Sequence, residues 1–282
     1  PVHPEAVNAD LELAAPLACE FDWRGPGAAQ RDSELFDVAR GCVDRAGAMA
    51  RSCLNAPEDE VDRTWLCDPP DAALSLLLDA TDPSVLARRV VELAQACKRI
   101  AAAQPPLVRA RLPCKIFGDT HGQLRDVLLL FASFGAPTHK NAGDVELCSY
   151  VFNGDFIDRG EHQVALVALL FALKALYPQR IYLVRGNHEF RSTSERMGPT
   201  SFRAACSRAF PPADAHEVYE ACFGVFEWLP LAALVADRIL VVHGGVGDGS
   251  WRLEDLAAGV PRPLSDLRVA PAWVVQALWS DP

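Results

Sequence analysis

The sequence predicts an α/β fold whose strands are each followed by a helix and whose unusual polar residues sit where the strands end. Three observations carry this expectation. From residue 114 onward, short apolar runs alternate with longer apolar stretches of helical length. Each short run is closed by a polar burst flanked by glycine. No apolar run reaches the ~18 residues that a membrane span needs, so the apolar stretches belong to a core.

Residues 1–70 are irregular in pattern, with breaks at "WRGPG" (23–27) and "DPPD" (68–71). Between the breaks, 33–53 reads as a helix with Leu35, Phe36, Ala39 and Val43 on one side. We take 1–70 as an N-terminal extension without a motif and 71–282 as one domain. Helices are expected over 71–80 and from 83 to 103, the second with Asp82 as N-cap and Pro83 at its first position. "QPPLVRARLP" then reads as a link. Strands are expected at 114–117, 146–152, 180–184 and 238–243. Helices are expected at 123–134, 162–177 and 218–229, with a polar helical stretch reaching about Phe210. Such βαβ units imply a buried sheet, and ligands collect beyond the carboxyl ends of its strands.

Half the residues are apolar and 23% are charged, so a sizeable core is expected and disorder is not. The net charge of −10 argues against non-specific nucleic-acid binding. The start, "PVHPEAVNADLELAAP", lacks a signal peptide's basic and apolar regions, and it opens on proline as an excised piece would. The nine cysteines form no CxxC pair and their count is odd, which argues against a zinc knuckle or a disulfide framework. They read as small buried hydrophobes of a reducing compartment, cytoplasmic or nuclear.

The four bursts are "GDTHG", "NGDFIDRG", "RGNHE" and "HGG". Taken singly, each has an ordinary explanation: a turn, a solvated ion pair, a helix cap. Four bursts in register with four strands are poorly explained by coincidence. Asp119, His121, Asp155, Asn187 and His243 would then converge on one spot. Mixed Asp, Asn and His donors without thiolates suit divalent Mn, Fe or Zn. Cys148, His139, His162 and His216 read as packing or surface residues.

In this order, "GDTHGQ", "GDFIDRG", "RGNHE" and "HGG" resemble the signature of the PPP family of metal-dependent serine/threonine protein phosphatases. The resemblance runs from about residue 84 to 282 and takes in "FEWLPLA" (226–232) and "LWSDP" (278–282). The threonine of "GDTHGQ" is most similar to the branch that carries TPR or EF-hand modules, although residues 1–83 show neither. The resemblance implies a calcineurin-like metallophosphoesterase β-sandwich flanked by helices. It implies that Asp119 and His121 hold a first metal, that Asp155 bridges, and that Asn187 and His243 hold a second. It further implies a hydroxide activated by two divalent metals, Arg159 on the phosphoryl oxygens, His188 as general acid, and Asp158 orienting His188. Phosphoproteins would be the substrates and a regulatory protein subunit a possible partner, with no nucleic acid or membrane.

The family pattern continues beyond "WSDP" with a further arginine, a histidine ligand, a tyrosine and several strands, so the domain is expected to be C-terminally truncated. Met197, Gly198 and Pro199 replace the family's aromatic-glycine-phenylalanine turn, and 137–146 is longer than the usual link. Two alternatives remain beside the protein phosphatase: a phosphoesterase acting on small molecules, and a truncated pseudophosphatase that binds proteins without chemistry.

Overall fold

The computed structural model describes residues 29–55, 72–140 and 143–280. The breaks at 23–27 and 68–71, most of the extension, and the last two residues of "LWSDP" lie outside the described residues. The fold begins with three helices: α1 (Ala29–Asn55), α2 (Ala72–Leu78) and α3 (Pro83–Ala103). Asp82 caps α3 as expected, its carboxylate accepting from the Ser84 N–H at 2.8 Å. Then come β1 (Leu107–Ala110), β2 (Cys114–Phe117), α4 (Leu124–Phe134), β3 (Ser149–Phe152), α5 (Gln163–Leu176) and β4 (Ile181–Leu183). After β4 follow α6 (Arg191–Ser194), a 3-10 turn (Glu195–Thr200), α7 (Phe202–Ala209) and α8 (Pro212–Phe226). The described chain closes with β5 (Ala232–Val235), β6 (Ile239–Val242), α9 (Leu253–Ala258), a 3-10 turn (Leu267–Val269) and α10 (Ala272–Trp279).

The expected single run of βαβ units is corrected here. β2, β3 and β4 form one parallel sheet in that order, but β6 is not its fourth member. β6 pairs antiparallel with β5, which pairs parallel with β1, in a second sheet. Two strands were not expected: 107–110 falls in the segment read as a link, and 232–235 has no sequence assignment. Both are only four residues long, and prolines at 105, 106 and 230 mask their starts. The helix expected at 218–229 begins six residues earlier, where Pro212 occupies the first turn that proline tolerates. The polar stretch to Phe210 is broken in two by Gly198 and Pro199. α9 and α10 were not foreseen.

Period-two alternation explains why two sheets form rather than one. Tyr150, Phe152, Ile181 and Leu183 point into the large core under α3, α5, α7 and α8. Their neighbours Val151, Tyr182 and Val184 point the other way and meet Val108, Ala110, Ala233, Val235 and Val241 between the sheets. On the far side of the second sheet, Leu107, Ala232 and Leu234 pack under Trp251, Leu256, Val274 and Leu278 of the C-terminal helices. The result is a two-sheet sandwich with helices on both outer faces. α1 joins the large core through Leu35, Ala39, Cys42, Val43, Ala46 and Met49, packing against α4 and α5. No described helix is long and apolar enough to cross a membrane.

Candidate active site

The carboxyl ends of β2, β3, β4 and β6 bring the predicted residues together across the two sheets. The β2 loop is clipped to the β3 loop by backbone: the Asp155 carbonyl accepts from the Thr120 and His121 N–H groups at 3.1 and 2.8 Å. His121, Asp155, Asp158 and Arg159 all adopt positive φ, from 38° to 69°. Four non-glycine residues in this region store backbone strain that the surrounding hydrogen bonds hold in place. Gly154 and Gly186 make the crossing possible. A Cβ on Gly154 would lie 2.4 Å from the Gly186 nitrogen and 2.9 Å from His243 Nδ1.

Asp155 is at the centre. Its Oδ2 lies 3.5 Å from His121 Nε2 and 3.9 Å from His188 Nε2, and its Oδ1 lies 3.4 Å from His243 Nε2. Asp119 is half exposed and closes the other side, with its carboxylate oxygens 3.9 Å from His121 Nε2 and 3.8 Å from His243 Nδ1. Metal-competent donors fall into two groups, His121–Asp155–His188 and Asp119–Asp155–His243, within 4.8 Å in each. Both groups share Asp155. His188, expected as a general acid and not as a ligand, also brings a ring nitrogen into the first of these groups.

The donor atoms fit a metal. His121 and His243 each turn Nδ1 to a backbone carbonyl, Ile157 and Asn153 respectively, at 2.7 Å. With Nδ1–H committed to a carbonyl, loss of the Nε2 proton frees that nitrogen's lone pair on the Asp155 side, which is how ligating histidines are held. Asn187 donates its Nδ2 to the Leu278 carbonyl at 3.1 Å, and its buried Oδ1 has no hydrogen-bond partner among the described residues. An acceptor orphaned in the interior is costly unless something electropositive meets it.

His188 is set differently. Its Nδ1 faces a carboxylate, Asp158 Oδ2, at 2.7 Å, and its backbone N–H donates to Asp155 Oδ1 at 2.9 Å. Arg159 Nη2 lies 3.4 Å from its Nε2. Asp158 is wholly buried, and its second oxygen accepts from Ser194 Oγ and the Phe202 N–H at 2.7 and 2.8 Å.

Electrostatics follow from these contacts. Burial disfavours the His188 cation, but the Asp158 hydrogen bond and the charge of Asp155 together raise its pKa above the ordinary histidine value. Burial lowers that of His121, and the Ile157 carbonyl and Asp155 only partly offset it. His243 is also penalised by burial, yet its hydrogen bond to Asp155 lifts it to about 9. Burial opposes the Asp155 carboxylate, and the bond from His243 overcomes it and holds the group below the usual range. A cation seated here would compete with those protons, since ligands bind metal deprotonated.

Several residues that shape the site carried no recognised signal. Glu189 is fully buried and accepts from three backbone N–H groups, those of Asp155, Phe156 and Gly186, at 2.8 to 2.9 Å. Burial, followed by the charge of Asp155, pushes its carboxyl up to about 7. Gln163 accepts from the Asp158 N–H and donates to the Gly160 and Thr200 carbonyls, clamping the 158–160 turn. The end of α10 supplies carbonyls to both the Gly244 N–H and Asn187. A charged or amide residue at the start of an apolar helix, or next to a ligand pair, was the available hint for Gln163 and Glu189.

Residues 112–281 match the family described as calcineurin-like phosphoesterase. The chain belongs to that family. The chain is 35% identical over 193 residues to serine/threonine-protein phosphatase BSL2 of Arabidopsis thaliana, an overlap of 68% of this chain and 18% of that protein. It also resembles the solved structure of a protein serine/threonine phosphatase from Saccharomyces cerevisiae with similarity to human phosphatase PP5. The TM-score is 0.62 at 27% identity, covering 80% of this chain and 66% of that one. The chain therefore spans under a fifth of the curated relative it matches. Both relatives agree with the protein-phosphatase resemblance carried by its motifs.

Proposed function

We propose that the chain hydrolyses phosphoserine and phosphothreonine esters in proteins, water attacking phosphorus directly and His188 protonating the departing oxygen. One observation carries this reading: a buried Asp158–His188 pair at 2.7 Å, its free ring nitrogen turned toward both Arg159 and the donor cluster. The two similar proteins, both serine/threonine phosphatases, support the substrate class.

Asp119, His121 and Asp155 would hold one divalent cation, and Asp155, Asn187 and His243 a second, with Mn, Fe or Zn suited to this donor set. Bound there, the cations supply positive charge to the phosphoryl oxygens and lower the pKa of water, so that it attacks near neutral pH. Arg159 presents a planar fork that takes two phosphoryl oxygens at once. Its position beside His188 registers the phosphoryl group so that the leaving oxygen faces Nε2. Asp158 accepts from Nδ1–H, which fixes the ring orientation and favours the imidazolium. As the bond between phosphorus and the side-chain oxygen breaks, the Nε2 proton passes to that oxygen and leaves a neutral ring on Asp158. Glu189, through its three backbone contacts, keeps Asp155 at its strained φ. Among the described residues the cysteines are free and all but Cys114 are buried, which suits a reducing compartment such as the cytoplasm or nucleus.

The deciding experiment is manganese-stimulated hydrolysis of p-nitrophenyl phosphate and of a phosphothreonine peptide, with Asp119→Asn as control. Activity lost in the control supports the reading. A preference for a dinucleoside tetraphosphate over the peptide would point instead to small-molecule phosphoesters, and inactivity of the folded, manganese-loaded chain would overturn catalysis by this chain.

A further inference from the structure

The turn where the chain departs from its family pattern builds a basic groove beside the catalytic turn. The 3-10 turn and α7 border an open groove of about 730 Å³, lined by Glu195, Pro199, Ser201, Arg203, Ser207 and Arg208 among others. The groove wall and the catalytic turn share hydrogen bonds. The Thr200 carbonyl accepts from the Arg159 N–H at 2.9 Å, and Asp158 accepts from Phe202 and Ser194. The groove therefore lies beside the backbone of Arg159, within a few residues' reach of a peptide whose phosphate is held there.

The charge here opposes that of the molecule. The whole chain carries −10, yet Arg196, Arg203 and Arg208 are all exposed on this one turn and helix, with Arg159 next to them. Arg203 is partly neutralised by Glu195 at 2.6 Å and lies over the Tyr219 ring at 4.0 Å. Arg208 is held only by the Pro199 carbonyl at 3.0 Å, and Arg196 only by the Ser192 carbonyl at 2.9 Å. Neither has a carboxylate partner among the described residues. Backbone carbonyls orient these guanidiniums and leave donors free for an anion.

We propose that this groove binds an acidic side chain of the substrate polypeptide flanking the phosphorylated residue, through Arg208, which lines it. The inference rests on the protein-phosphatase reading and adds a sequence preference to it. Its ligand chemistry is an oxyanion, either a carboxylate or a second phosphate.

The test uses the full chain and labelled phosphothreonine peptides flanked by glutamates, by a second phosphoserine, by glutamines or by lysines. Fluorescence anisotropy should show an acidic peptide bound about 3–10-fold more tightly than the glutamine peptide at low salt, and the gap should shrink at high salt. Whichever of the glutamate and phosphoserine peptides gains more identifies the oxyanion. Arg208→Gln should erase the gap while p-nitrophenyl phosphate hydrolysis is unchanged, and Arg208→Glu should shift preference to the lysine peptide. Equal affinities in the parent chain, or a preference that survives in Arg208→Gln, would overturn the proposal. Failure to hydrolyse p-nitrophenyl phosphate would instead count against the catalytic reading, and the anisotropy would still decide this one.

Discussion

Glu189 shows how much a single buried side chain can hold at the residue scale. It satisfies three backbone N–H groups that no other side chain reaches. Leaving a buried donor unsatisfied costs about 1–3 kcal/mol. Glu189→Ala should therefore destabilise the fold by at least ~3 kcal/mol in urea unfolding. It should also weaken manganese binding by about 10–100-fold, as loss of a group supporting a ligand does. His188 gives a prediction of another kind. If it donates a proton to the leaving oxygen, His188→Asn should slow phosphothreonine hydrolysis by about 10²–10⁴-fold. The loss on p-nitrophenyl phosphate should be far smaller, because that leaving group departs with little protonation. Equal losses on both substrates would assign His188 to binding alone.

At the scale of elements, α5 and α1 are the informative helices. α5 is buried on almost every side and carries Lys174 into the core, where Nζ donates to the Ile181 and Pro178 carbonyls at 2.6 and 3.0 Å. Burial lowers its pKa to about 7, while the unfolded chain keeps the ordinary value of about 10.5. Between those values the unfolded state binds the proton and the folded state does not, so stability rises with pH across that window. Below pH 7 the penalty of burying the ammonium is fully present. Urea midpoints at pH 6.5 and 9.5 should differ in that direction, and Lys174→Met should flatten the difference. α1 tests whether the N-terminal helix is part of the domain's core. Ala39 is fully buried in the shared core, so Ala39→Asp places an unpaired carboxylate there. We expect a loss of several kcal/mol in thermal unfolding, at least 3 by the scale of broken buried charges. An unchanged transition would mean that α1 rests loosely on α4 and α5.

At the scale of the whole molecule, the donor cluster joins the two sheets. Asp119, His121, Asp155 and Asn187 come from the β2–β3–β4 sheet and His243 from the β1–β5–β6 sheet. A cation held by both should stabilise the native state by mass action, about 2.7 kcal/mol at a hundredfold excess over Kd. The unfolding temperature should rise with added manganese and fall back with a chelator. Asp155→Asn, which removes the shared carboxylate, should abolish the rise.

Much of this was legible in the chain itself. The pattern of apolar runs placed β2, β3, β4, β6 and most helices within a few residues, because buried strands and helices need those runs. The four polar bursts named all five candidate ligands, since four glycine-flanked bursts in register with four strand ends are poorly explained by turns and caps alone. Asp82 and Pro83 announced α3 through backbone capping, which is local. What the sequence could not decide was which strands pair. β1 and β5 are four residues long, and their alternation has meaning only when a second sheet receives the residues that face away from the helices. Glu189, Gln163 and the Leu278 carbonyl escaped for the same reason: their partners lie on other elements of the fold. Local chemistry thus determined what the site is made of. The tertiary structure alone decided how its parts are held, because hydrogen bonds between distant segments exist only after the two sheets have packed.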